Sequence, residues 1–154
     1  MAKRRHVDTD AVIALMRTYQ NEARKCRRAR AYLAGCVMIG SALDASLTAL
    51  TRIYSHHVRK VGERPAQMRT LGPLVGLAGK MGWLSGRSLW AANRIVKSRN
   101  KVHADVFGRR GQLPRIRVAE LDARLDDMSE VTDALYVRVA EPGLRRAMRR
   151  EEVA

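Results

Sequence analysis

The stretch from Tyr32 to Leu50 constrains the fold of this chain more than any other feature. Read as a helix it is apolar nearly all round, and such a helix must be enclosed by other elements. Continued from about Ala31 to His57, it offers Leu33, Val37, Leu43, Leu47, Leu50 and Tyr54 for packing and predicts the central helix of a bundle. The segment approaches membrane-spanning length, but Gly35, Gly40, Ser41, Asp44, Ser46 and Thr48 interrupt it, which reads as a buried core helix and not as a membrane anchor. An acid in such a helix needs a partner, so Asp44 is expected to pair with one of the many arginines.

The neighbouring segments fit the same architecture. Asp8 or Thr9 can cap an amphipathic helix carrying Val12, Ile13, Met16, Tyr19, Ala23 and Cys26. His56 and His57 lead into a loop at Gly62 and Pro65, and adjacent histidines diverge too much for a joint metal site. A glycine-rich stretch from Thr70 to Gly86, with Pro73 in a tolerated first turn, predicts a short, closely packed helix. It lacks the Lys-Ser/Thr ending of a phosphate-binding loop. Ser85 or Ser88 can cap the next helix, which holds Leu89, Trp90, Ala92, Ile95 and Val96, and a last helix opens at Val118 with the stripe Leu121, Leu125, Met128, Val131 and Leu135. Pro142-Gly143 is expected to stop it.

The fold class expected is therefore all-α, a four- to five-helix up-down bundle. Residues 1–8 form a basic tail, 9–140 a single domain and 141–154 a second basic tail. The chain has 154 residues, and a core rich in Ala, Leu, Val, Ile and Met follows from 46% hydrophobic but only 5% aromatic residues. Trp83, Trp90 and Phe107 fit core positions, which leaves few aromatics for stacking on bases. Cys26 and Cys36 have no metal-ligand spacing and read as reduced structural thiols, with neither metal nor other cofactor expected. Basic residues Lys3, Arg4 and Arg5 are followed by Asp8 and Asp10 without an apolar run, so the expected location is cytoplasmic.

A formal charge of +15 points to an anionic partner, nucleic acid first among them. The residues expected to grip it are Arg27, Arg28, Arg30, Lys97, Lys101, Arg109 and Arg110. Arginine-rich composition without functional meaning is the competing explanation, and charged solvated faces are its local form.

Within this charge sits the motif Arg99-Asn100-Lys101-Val102-His103. An arginine and a histidine four apart on a helix share one face. A histidine near its ordinary pKa of about 6.5 can take the proton of a ribose 2′-hydroxyl or supply one to a leaving 5′-oxygen. Arg99 would hold the phosphate with its planar fork, and Asn100 would orient the phosphate or the imidazole. The alternative role of Arg99, Asn100 and His103 is to fasten the helix end to a neighbour or to its own last carbonyls.

Three stretches, Gly40 to Leu47, Leu77 to Leu84 and Lys97 to Ala104, together resemble the HEPN superfamily of small helical domains over roughly residues 31–107. The resemblance implies a four- or five-helix bundle in which a long helix with small and acidic core residues precedes an arginine-asparagine-histidine motif. It implies a metal-independent endoribonuclease of toxin or antiviral-defence type, with Arg99, Asn100 and His103 in a composite site at a homodimer interface and an antitoxin or other protein as a further partner. Some relatives are nucleic-acid-binding or protein-interaction modules without nuclease activity, which is the alternative function. The family usually leaves four to six residues between arginine and histidine, where Asn100, Lys101 and Val102 stand here.

Overall fold

A computed structural model describes residues 8–62, 70–101 and 115–153. Among them are six helices and no strand: α1 (Thr9–Arg28), α2 (Tyr32–Ile53), α3 (Ser55–Lys60), α4 (Leu71–Lys80), α5 (Gly86–Asn100) and α6 (Val118–Val153). The four long helices, α1, α2, α5 and α6, form the bundle. Each of α1 and α5 packs on both α2 and α6, and α2 and α6 also touch each other.

Side-chain pairs fix the directions. Gln20 Nε2 donates to Thr132 Oγ1 at 2.8 Å while Arg27 meets Asp122, so α1 and α6 run antiparallel. Arg94 meets Asp127 and Lys101 meets Glu120, so α5 and α6 do too. A tight turn joins α1 to α2, whose direction is therefore that of α6. The result is an up-down-up-down arrangement, with α3 and α4 inserted in the crossover from α2 to α5.

The caps follow sequence chemistry. The Asp8 carboxylate accepts the amide N–H groups of Asp10 and Ala11 at 3.0 and 3.2 Å, opening α1. Ser85 is the N-cap of α5, and its N–H donates to Ser88 Oγ at 3.0 Å. Pro73 lies in the first turn of α4 as expected, where the amides have no intrahelical acceptor.

The core is aliphatic and centred on α2, where Ile39, Leu43, Leu47 and Leu50 are fully buried, joined by Met16, Leu77, Leu84, Ile95, Leu121, Met128 and Leu135. By length and composition α2 could cross a membrane, but its buried residues are covered by the other helices. Two of its glycines permit close approach. A Cβ at Gly35 would lie 2.7 Å from Leu121 Cδ2, and one at Gly40 would lie 2.6 Å from Arg99 Cγ.

Four expectations need correction. The long second helix is interrupted at Tyr54, which caps α2 and begins α3, so the described residues hold one helix more than the upper number expected. Asp44 is half-buried and receives the Thr48 hydroxyl at 3.5 Å, and among the described residues no arginine pairs with it. Trp90 is 61% exposed rather than a core residue, whereas Trp83 is buried as expected.

The fourth correction concerns the end of the chain. Helix α6 continues through Pro142-Gly143 to Val153. Proline has no N–H, so the Arg138 carbonyl four residues earlier loses its helical donor. The Tyr54 hydroxyl donates to that carbonyl at 2.8 Å, with the Glu141 carboxylate 3.0 Å away as a second acceptor. A tyrosine at the break between α2 and α3 thus supplies the hydrogen bond that proline removes.

Candidate nucleic-acid interface

At one end of the bundle α1 and α5 finish and α6 begins. Exposed carbonyls at a helix C-terminus favour cations, and Lys25, Arg27 and Arg28 occupy the last turn of α1 while Lys97 and Arg99 occupy that of α5. The free amides at the start of α6 favour acids, and Glu120 and Asp122 are placed there. Two cation clusters about seventy residues apart in sequence are thereby brought to one surface.

Part of this charge is internally matched. Arg27 grips Asp122 through Nε and Nη2, the latter at 3.0 Å from Oδ2. The hydrogen bond from Arg27, and then its charge, holds the Asp122 carboxyl below its ordinary range and raises the guanidinium in turn. Lys101 Nζ lies 2.7 Å from Glu120 Oε1, which also accepts the Ser98 hydroxyl at 3.0 Å. By contrast, Arg28, Arg30 and Lys97 are exposed and pair with no carboxylate among the described residues. Arg30 also has a φ of 58°, the left-handed region that glycine would occupy with less strain.

The motif divides across the edge of what is described. Arg99 and Asn100 form the last turn of α5, with Lys101 as its C-cap. Arg99 is half-buried, its aliphatic stem lying on Gly40 of α2, and Asn100 is exposed. His103, Arg109 and Arg110 lie outside the described residues, as does Phe107.

Sequence reasoning missed the polar network that fixes α5 against α6. Asp127, 3% exposed, receives Nε and Nη2 of Arg94, the Nε bond measuring 3.1 Å. Arg124 Nε lies 2.8 Å from Asp127 Oδ2 as an ion pair, its N–H not aligned for a hydrogen bond. Arg124 Nη1 donates to the Arg94 carbonyl and to Ser98 Oγ, both at 3.3 Å. The Arg94 guanidinium also covers one face of Trp90, 3.3 Å from the ring centroid. The signal was an arginine and an acid thirty-three residues apart, which no helical spacing links.

Chemically, this end of the bundle presents surplus cations suited to phosphates and, in Arg99 and Asn100, a planar fork beside an amide. No group of three or more metal-ligating side chains occurs among the described residues. Cys36 is buried, and burial pushes its thiol up to about 11, so it serves packing rather than nucleophilic chemistry. Compared with protein-family models, with curated proteins and with solved structures, the chain gives no match.

Proposed function

We propose that the chain is a metal-independent endoribonuclease, built as a HEPN-like bundle that binds RNA at the α5 end and cleaves it with Arg99, Asn100 and His103. The observation that carries this reading is the meeting of the motif's helix end with the surplus cations of α1 on one surface. In the reaction the ribose 2′-oxygen attacks phosphorus as a base removes its proton, and the P–O5′ bond breaks as an acid protonates the 5′-oxygen. The products are a 2′,3′-cyclic phosphate and a 5′-hydroxyl. Arg99 stabilises the charge developing on the phosphoryl oxygens. Each chain supplies one His103, so a two-fold homodimer would provide both acid and base.

Purified protein and its His103→Ala variant, incubated with structured and single-stranded RNA in excess chelator, test this. Cleavage giving cyclic phosphate ends, lost in the variant, is the expected result. Intact RNA with both proteins would sink the nuclease reading.

A second reading, a catalytically silent nucleic-acid-binding module, is favoured by the exposed cations Arg28, Arg30 and Lys97, which can hold phosphates without any histidine. It predicts RNA binding without cleavage, falling with salt by about 0.9 log units per log of salt for each duplex phosphate contacted. Cytoplasmic location and an antitoxin or other protein partner belong to the first reading.

A further inference from the structure

Trp90 is, with Tyr136, one of the large aromatics that the bundle leaves exposed among the described residues. It is 61% exposed, and the Arg94 guanidinium stacks 3.3 Å from its ring centroid, held in turn by Asp127. With one face covered, so large an exposure requires the other face of the indole to be open. An exposed indole held by a partly buried ion pair is a preorganised stacking surface.

Its surroundings specify what would stack there. Trp90, Asn93, Lys97 and Asn100 recur at helical spacings of three and four, all exposed, and form one stripe down α5 that ends in the motif. Lys97 lies about 10 Å along the axis from Trp90, two turns on, and Asn100 about 15 Å, while Arg99 lies on the opposite side of α5 against Gly40 of α2. Aromatic, amide and cation in series suit a strand whose bases are unpaired and whose phosphates run alongside. An apolar protein surface would instead meet the uncompensated charge of Lys97 at the centre of the patch.

We infer that α5 is a binding track for single-stranded RNA, with one unpaired base stacked on the open face of Trp90, a phosphate on Lys97 and the strand directed towards Asn100 at the helix end. This rests on the proposal that the chain binds RNA, and it names the form of RNA. It also reverses the sequence-based expectation that few aromatics are left for stacking on bases, since that expectation placed Trp90 in the core.

The test uses fluorescently labelled 2′-O-methyl oligo(A), which cannot be cleaved by 2′-hydroxyl attack, alone and as a duplex with 2′-O-methyl oligo(U). Anisotropy titrations compare the full chain with Trp90→Ala and Trp90→Tyr. Trp90→Ala should weaken single-strand binding roughly five- to hundredfold while changing duplex binding little, and Trp90→Tyr should retain most of the affinity. Single-strand binding should also quench indole fluorescence, and Trp90→Ala should abolish the quench, because buried Trp83 is shielded. Undiminished single-strand binding by Trp90→Ala overturns the stacking track while leaving RNA binding in place. Equal losses for both probes, or dissociation of a dimer by Trp90→Ala in sedimentation, overturn it in favour of a structural or interface role. Absence of binding by the unmodified protein at low salt removes the track together with the function it rests on.

Discussion

Replacing Gly40 by alanine tests whether the core helix sets the position of Arg99. The new Cβ would lie 2.6 Å from Arg99 Cγ and 3.0 Å from its Cβ. These atoms are at the root of the side chain, so swinging its far end cannot relieve the clash; α5 must move or Arg99 must leave its rotamer. Relief of that kind costs about 1–3 kcal/mol. Against it stands the helix propensity gained on replacing an interior glycine, about 1 kcal/mol. The net expectation is a change from neutral to about 2 kcal/mol destabilising.

A matched control isolates the steric part. Gly76 lies within α4, is exposed, and would bring its Cβ near nothing within 4 Å. Gly76→Ala should therefore collect the propensity gain alone and stabilise by about 1 kcal/mol. The difference between the two variants is the clash itself, equivalent to roughly 2–12 °C in Tm for a chain of this size. Calorimetric melting of both variants measures it. If Gly40→Ala raises Tm as much as Gly76→Ala does, the close approach of α2 and α5 through Arg99 is absent in solution and the reasoning fails.

Arg30→Gly should move stability and binding in opposite directions, gaining about 0.5–1 kcal/mol by relieving the left-handed backbone while lowering RNA affinity; a fall in stability would refute the strain at this turn. Asp127→Asn should destabilise by about 2–4 kcal/mol in urea unfolding, because Arg94 and Arg124 lose their shared counter-charge, whereas exposed Asp126→Asn should stay within about 0.5 kcal/mol. Tyr54→Phe should cost about 1 kcal/mol in the natural background and less beside Pro142→Ala, which restores a backbone donor to the Arg138 carbonyl; equal costs in both backgrounds would show that the two are uncoupled. Cys36 should resist iodoacetamide in the folded protein at mildly alkaline pH, where a thiol titrating at about 11 is protonated, and half-buried Cys26 should alkylate first, as mass spectrometry of peptides would show.

What could be read from the sequence was local. The central place of α2 follows from its all-round apolarity, the start of α1 from Asp8 and that of α5 from Ser85, because each needs only residues within one or two helical turns. What could not be read depends on distant partners. Nothing near Tyr54 breaks a helix in the manner of glycine or proline, and its partner at the Arg138 carbonyl lies 84 residues away. That same distant hydroxyl satisfies the Arg138 carbonyl where α6 continues through Pro142. Trp90 shares its helix with apolar Leu89 and Ile95, so periodicity alone allows it a core position; in the fold the buried face of α5 is Ser88, Ala91, Ala92, Ile95 and Ser98, which leaves Trp90 on the other side. Of the candidate site, the positions of Arg99 and Asn100 at a helix end were legible, and the roles of Gly40 and Glu120 in holding that end were not.

The distribution of charge separates what the fold requires from what it does not. Cations at the ends of α1 and α5 and acids at the start of α6 are what the helix termini themselves favour. Arg27 with Asp122 and Lys101 with Glu120 complete that pattern without any ligand. Beyond these pairs, each further unpaired cation adds repulsion among its neighbours against the gain at its helix terminus. Arg28 and Lys97 exceed those pairs, Arg30 lies past the end of α1 in a backbone conformation that glycine would hold with less strain, and Trp90 leaves its indole in water on the stripe of α5 that holds Lys97. The functional reading therefore rests on this surplus and not on the total charge, and the surplus meets Arg99 and Asn100 at the same end of the bundle.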